Sequence, residues 1–267
     1  MPARHGVQWL RLGWRVFARK PLAFSGLFAF FLFVALVALL LPWIGPLLML
    51  SLLPLLTLGF MIATREALAE RFPAPGVFLR PLTGDAARRL ALIRLGLLYA
   101  AGGIAITWIS DAIDGGRFEQ LQALLGSDRA EDRQRVAELL DDSRLRFGTL
   151  TRLALTALLA IPFWHAPALV HWAGQGTGQS LFSSVLAIWT NRGAFVVYLL
   201  GWVALVLGFG IVAGALAALT GARSLLALLM LPAGLTFSAV FYASLYFTYR
   251  DSFAQDGGDV DEDAPPP

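Results

Sequence analysis

The chain has 267 residues, of which 57% are hydrophobic and 15% are charged, and its formal net charge is +3. A soluble globular protein is nearer half apolar and a quarter charged, and the uncharged residues here come in stretches long enough for a helix to cross a membrane, which needs about 20 residues. No cysteine is present, so disulfides, thiolate metal sites and cysteine nucleophiles are excluded.

Six apolar stretches predict an all-α integral membrane protein whose spans form three hairpins, each preceded by a short interfacial helix. The predicted spans are 22–41, 44–64, 91–110, 153–172, 194–219 and 225–248. In the first, 14 of 20 residues are Leu, Phe or Val, which favours membrane insertion by about 4–8 kcal/mol. Because a cleaved signal peptide has a shorter apolar region, this run is expected to be an uncleaved signal anchor.

The segment before the first span has the periodicity of an amphipathic helix. Its apolar face is predicted to contain Val7, Leu10, Trp14 and Phe17. Its opposite face is basic and contains Arg11, Arg15 and Arg19, with Lys20 following. Such a helix is expected to lie in the membrane interface and to contact anionic lipids. Its place beside a membrane span favours lipid over nucleic acid as the partner of these charges.

The Arg and Lys residues predict the orientation of the chain. The segment before the first span has five basic residues and no acid, and the stretch from 65 to 94 has six arginines against three acids. Both are expected in the cytoplasm, so six crossings return the C-terminus there. The segment 111–146 is then an outer helical hairpin, residues 1–250 form one membrane domain, and the acidic residues 251–267 form a disordered cytoplasmic tail.

The fourth span differs from the others because it contains Pro162, Trp164, His165 and Pro167 in its second half. Each proline removes a backbone donor and frees a carbonyl that neighbouring helices must satisfy. An interior, kinked helix is therefore expected. His165 either lines a small cavity or lies near the cytoplasmic interface, bonded to a freed carbonyl or to lipid head groups. His171 is about 240° away around the helix, so no metal site is predicted.

Two further helices carry a pattern of their own. Gly210, Gly214 and Ala218 form a stripe of small residues on the fifth span, which favours close helix packing within the chain or in a homo-oligomer. The stretch 179–192 is a predicted surface helix, with Leu181, Val185, Ile188 and Trp189 on its apolar side. A weaker surface helix, broken at Pro81, is predicted over 77–89.

Chemical motifs are missing from the sequence. We find no nucleophile elbow, P-loop or dinucleotide fingerprint, and no Asp or Glu in the middle of a predicted span. No catalytic residue and no cofactor is therefore predicted. The leading hypothesis is a non-enzymatic membrane component that contacts lipids, or a membrane-protein partner. The alternative is a permease for a small, weakly charged solute, with the fourth span lining its path.

Three segments together carry a resemblance to a known family: Trp9 to Pro21, Trp164 to Val170, and Ser184 to Asn191. They resemble an uncharacterised family of proteobacterial inner-membrane proteins with several helices, over most of residues 6–253. The layout is also loosely similar to the membrane domain attached to some glycerophosphodiester phosphodiesterases. The resemblance implies a bacterial inner membrane and no activity, and it implies a large apolar residue at the position of His165 in many relatives.

Overall fold

The computed structural model describes residues 1–42, 44–125, 129–221 and 223–253. Within these ranges the secondary structure is helical, with one short 3-10 helix at Pro75–Phe78 and no strand. The α-helices are α1 (His5–Arg19), α2 (Pro21–Leu39), α3 (Ile44–Leu68), α4 (Arg80–Thr83), α5 (Ala86–Asp114), α6 (Arg117–Leu124), α7 (Ala130–Asp141), α8 (Ser143–Phe163), α9 (Ala166–Ala173), α10 (Thr177–Thr190), α11 (Arg192–Thr220) and α12 (Arg223–Phe253).

Six of these segments are long and apolar enough to cross a membrane. They are α2, α3, α5, the pair α8 and α9, α11, and α12 from Leu229 onwards. Their mean hydropathies range from 1.4 to 2.6. A crossing needs roughly 20 residues, and the six segments have between 19 and 31. The structure thus confirms the predicted all-α fold with six membrane-spanning helices.

The six helices alternate in direction, so both described chain ends lie at one end of the bundle, which we call the terminal end. There Trp9 Nε1 donates a hydrogen bond to Asp251 Oδ2 at 2.8 Å. Arg88 Nη1 donates to the carbonyl of His171 at 3.3 Å in the same region. Helices α6 and α7 lie at the opposite end, which we call the hairpin end.

Helix α1 packs against α11 and α12. Its buried residues are Gly6, Trp9, Gly13, Val16 and Phe17. Val7, which the sequence placed on the apolar face, is 56% exposed. Leu10, Trp14 and Phe17 of the predicted face do pack against the core, so the buried face is turned from the predicted one by less than one residue step of about 100°. The reason is that glycines, which carry no hydrophobic signal, make the closest helix contacts: a β-carbon on Gly13 would lie 2.6 Å from that of Ser244.

The segment between α3 and α5 is not the predicted surface helix over 77–89. It forms the 3-10 helix and the four-residue α4, and α5 begins after Asp85, whose carboxylate accepts a hydrogen bond from the Arg88 backbone. Val77 is fully buried, and Phe78 is 9% exposed. Pro and Gly residues prevent a continuous helix here, and the apolar residues between them pack inward.

The hairpin end contains two short helices, α6 and α7, which contact each other. Asp142 begins α8, and its carboxylate accepts a hydrogen bond from the Arg144 backbone at 2.7 Å. This bond, together with one from the Arg117 side chain, holds the pKa of Asp142 below its ordinary value. The predicted acidic tail lies outside the described residues beyond its first three positions.

Candidate functional site

The fourth span is broken where its prolines lie. Helix α8 ends at Phe163 and α9 begins at Ala166, so Trp164 and His165 separate two helices that the sequence treated as one kinked span. Pro162 cannot donate a backbone hydrogen bond, and Pro167 occupies the first turn of α9, where a missing donor costs little. Residues Ala166 to Val170 are all buried, so this half of the span is interior.

A hydroxyl group from α10 closes this break. Ser184 Oγ donates a hydrogen bond to the carbonyl of Ile161 at 2.9 Å and accepts one from the backbone N–H of His165 at 3.1 Å. One side chain thereby bridges the His165 N–H and the Ile161 carbonyl, which also accepts a long hydrogen bond from the Trp164 N–H at 3.4 Å. The buried side of α10 consists of the small residues Ser180, Ser184 and Ala187. On the predicted apolar face of α10, Leu181 and Ile188 are partly buried against the core, whereas Val185 and Trp189 are 40% and 68% exposed.

His165 is fully buried. Its Nε2 lies 3.2 Å from the hydroxyl oxygen of Thr248, which also accepts a hydrogen bond from Trp164 Nε1 at 3.2 Å and donates to the carbonyl of Leu245 at 2.8 Å. A threonine hydroxyl has one proton, so His165 must donate through Nε2. Its Nδ1 then has no hydrogen-bond partner within the part of the chain that the structure describes.

Aromatic rings enclose His165. The ring centroids of Phe195 and Phe253 lie 5.8 and 5.5 Å from that of the imidazole. The side chain therefore does not reach lipid head groups, and it is bonded to a hydroxyl rather than to a freed carbonyl. Among the described residues, no three His, Asp or Glu side chains come together as a metal site.

A cavity of about 150 Å³ lies beside the break, between α3, α5, α8 and α12. Its lining residues are Leu53, Pro54, Thr57, Tyr99, Ala160, Phe163, Trp164, Phe241, Tyr242 and Leu245. The fourth span thus contributes three lining residues, but His165 is not one of them. Ligand pockets are commonly about 300–1,000 Å³, and a water molecule takes about 30 Å³, so the cavity has the size of a few waters.

The basic face of α1 is a second candidate site. Arg11, Arg15 and Arg19 are all exposed, on the side away from α11 and α12. Arg19 lies 3.6 Å from Glu70 in an exposed ion pair. Lys20 is turned back, and its Nζ donates to the carbonyls of Glu70 and Arg71 at 2.8 and 3.0 Å. The structure therefore keeps the three arginines together and separates Lys20 from them.

The stripe of small residues on α11 has no partner helix within the described ranges. Gly210 and Ala218 are exposed, and a β-carbon added at Gly210 or Gly214 would have no heavy atom within 4 Å. Packing of this stripe within the chain, which the sequence favoured, therefore finds no support among the described residues and stays a prediction.

An ion pair at the hairpin end was not predicted from the sequence. Arg152 Nη2 donates to Asp111 Oδ1 at 2.6 Å, and its guanidinium lies 4.2 Å from the ring centroid of Phe118. Arg152 is thus paired with an acid of the same chain, and its side chain is only 21% exposed. Asp111 on α5 and Phe118 on α6 are more than 30 residues away from Arg152 along the chain, so no local sequence pattern predicts these contacts.

Comparison with known proteins finds one curated relative. The chain is 34% identical over 254 residues to a probable inner membrane protein of Burkholderia thailandensis. The aligned region covers 94% of this chain and 92% of the relative. No family model matches the chain. No solved structure matches it.

Proposed function

Because the chain belongs to the family of the probable inner membrane protein of Burkholderia thailandensis, and is itself a multi-pass inner-membrane protein, we propose that it is a non-enzymatic component that binds anionic phospholipid head groups. The binding surface is the basic face of α1, formed by Arg11, Arg15 and Arg19. Both termini lie in the cytoplasm, where this face meets the inner leaflet.

The single observation that carries this proposal is the rigid docking of α1 with its arginines outward. Trp9 is fully buried and bonded to Asp251, and the N-terminal amino group donates to Asn191 Oδ1 at 2.9 Å. The arginines are therefore held in place before lipid binds. An exposed ion pair such as Arg19–Glu70 contributes little, so it does not remove Arg19 from this surface.

The distribution of charge supports the cytoplasmic placement of the terminal end. Thirteen of the 21 Lys and Arg residues belong to segments at that end, and seven arginines between 117 and 152 belong to the other. The positive-inside rule counts Lys and Arg in the short segments flanking the spans. Anionic lipid at the inner surface attracts each such residue by about 1 kcal/mol.

Replacing all three arginines, Arg11→Gln, Arg15→Gln and Arg19→Gln, should reduce the amount of phosphatidylglycerol that the purified chain retains at low salt. The loss follows because each removed charge contributes about 1 kcal/mol near an anionic surface. Native mass spectrometry after equilibration in vesicles of equal phosphatidylglycerol and phosphatidylethanolamine measures the retained lipid.

A matched control is the triple variant Arg133→Gln, Arg135→Gln and Arg144→Gln, which removes the same charge from exposed positions at the hairpin end. The control should retain phosphatidylglycerol as the parent chain does. Unchanged retention by the α1 variant, or equal losses in both variants, would refute the proposal.

The cavity beside the fourth span favours the alternative, a permease for a small, weakly charged solute. Ala160 and Phe163 of α8 and Trp164 in the break line it together with Tyr99 and Tyr242. The close packing of aromatic rings around His165 counts against a path through that residue. The variant Ala160→Cys discriminates between the two functions, because the chain has no other cysteine. Labelling by a charged thiol reagent from water favours transport. Protection from that reagent favours the lipid-binding role.

A further inference from the structure

The segment between α3 and α5 dips into the apolar part of the bundle. A β-carbon added at Gly59 would overlap the ring of Phe78, and this ring stacks on that of Phe30 with centroids 6.3 Å apart. Gly59 is nine residues before the end of α3, and Phe30 is nine residues after the start of α2. At 1.5 Å per residue, Phe78 therefore lies about 13 Å along the bundle from those helix ends.

Ionic and backbone contacts hold this dipping segment at its ends. Arg80 Nη1 donates to Glu66 Oε1, and the Glu66 side chain is only 8% exposed. The backbone N–H of Arg71 donates to the carbonyl of Glu66 at 2.9 Å. Glu66 is thus the common anchor for the descending and the ascending part of the segment.

An apolar groove of about 250 Å³ lies between α2, α3 and the dipping segment. Phe31, Leu56 and Phe78 are buried and form its floor. Phe30 and Leu79 are exposed and form its rim, together with Pro75 and Gly76. Because the groove opens toward the side of a membrane-spanning bundle, membrane components reach it directly.

The size of the groove decides between possible occupants. A helix of another chain is about 10 Å wide with its side chains, so a volume of this size would hold only about two of its residues. A single acyl chain is one methylene wide and fits along such a groove. Hydrophobicity alone gives no preference, because lipid tails are as apolar as the lining residues.

Positive charge at the entrance of the groove favours an anionic lipid, whereas the apolar lining does not distinguish one lipid from another. Arg71 is exposed, and its guanidinium forms no hydrogen bond or ion pair within the described part of the protein. Arg80 follows the rim residue Leu79 directly and is 57% exposed, so donors beyond the one bonded to Glu66 face outward. Guanidinium groups bind phosphate strongly, and both arginines lie where the dipping segment meets the terminal end.

We propose that this groove binds one acyl chain of an anionic phospholipid, whose phosphate contacts Arg71 and Arg80. This site goes beyond the basic face of α1, because it is one defined position for one lipid rather than a charged surface. The acyl chain packs between α2 and Phe78. Salt should leave it largely in place, whereas salt screens an exposed charged surface.

The variant Gly76→Trp tests the site, because the space around Gly76 is open and an indole there fills the groove. The purified full chain is equilibrated with vesicles of equal phosphatidylglycerol and phosphatidylethanolamine and washed at high salt. Native mass spectrometry should then show one retained phosphatidylglycerol on the parent chain and at least a tenfold lower occupancy on Gly76→Trp. Gly26→Trp is the matched control, since Gly26 lies on α2, is exposed and does not line the groove.

Two further variants separate the acyl site from its head-group contact and guard against misfolding. Val34 of α2 also lines the groove. Val34→Trp therefore fills the groove without changing the dipping segment, and it should lose the lipid as Gly76→Trp does. Arg71→Gln should retain a lipid but lose the preference for phosphatidylglycerol.

Three outcomes would overturn the proposal: retention of the lipid by both tryptophan variants, equal retention of the two lipids by the parent chain, or an adduct with the mass of a free fatty acid. The Arg11, Arg15 and Arg19 variant should keep the salt-resistant lipid, so the two proposals fail separately.

Discussion

Ser184 joins the two halves of the fourth span with a single hydroxyl group. Ser184→Ala removes the donor to the Ile161 carbonyl and the acceptor for the His165 N–H. An unsatisfied buried polar group costs about 1–3 kcal/mol, so the variant should lower the unfolding midpoint of the purified protein in detergent. Thermal unfolding followed by circular dichroism measures this change.

Ser183→Ala is the matched control for this variant. It removes the same hydroxyl group one position earlier, from a half-buried side chain, and should leave the unfolding midpoint close to that of the parent chain. If the two variants unfold alike, Ser184 does not hold the break together.

The sequence predicts part of the arrangement around this break in the fourth span. Pro162 and Pro167 predicted an interior, kinked span, because the missing N–H groups are a local property of proline, but not the complete break between α8 and α9. Thr248, which binds both Trp164 and His165, was not predicted. It lies more than 80 residues away along the chain, and nothing in the local pattern of α12 distinguishes it from a threonine facing lipid.

At the scale of elements, α1 is a packed helix with one basic face. A β-carbon added at Gly193 would lie 3.8 Å from that of Ala3, which is the usual β-carbon separation of about 3.8 Å in a disulfide. The double variant Ala3→Cys with Gly193→Cys should therefore form a disulfide on mild oxidation. The chain has no other cysteine, so counting free thiols with a maleimide reports the bond directly.

The control pairs Ala3→Cys with Gly208→Cys, a position farther along α11 that has no heavy atom within 4 Å. This pair should keep both thiols free. Two free thiols in the Ala3 and Gly193 variant would mean that α1 does not dock on α11.

Helix amphipathicity was readable in the sequence, but the packed face was not. Hydrophobic periodicity finds large apolar residues, whereas α1 and α10 turn small residues such as Gly13 and Ser184 toward their neighbours. In a membrane the large apolar residues also face lipid without penalty. Gly210 and Gly214, by contrast, have no close neighbour in the described part of the chain, and their role in packing or in a homo-oligomer stays a prediction.

At the scale of the whole molecule, the number of spans was predictable because length and hydropathy are local properties of each segment. The dip between α3 and α5 was not, since its depth depends on the contacts of Phe78 with Gly59 and Phe30. The bundle that results places the two described chain ends together, through the hydrogen bond from Trp9 to Asp251. The terminal end has more Lys and Arg residues than the hairpin end, which is why we propose that the terminal end faces the cytoplasm.

Cysteine accessibility in cells tests the central claim, six spans with both termini in the cytoplasm, most directly. Single cysteines replace Gly84 at the terminal end and Gln134 at the hairpin end, both exposed, and spheroplasts are treated with a membrane-impermeant maleimide. Gln134→Cys should react in intact spheroplasts, and Gly84→Cys should react only after lysis. The reverse pattern would contradict the orientation, and reaction of both cysteines without lysis would contradict the six-span fold itself.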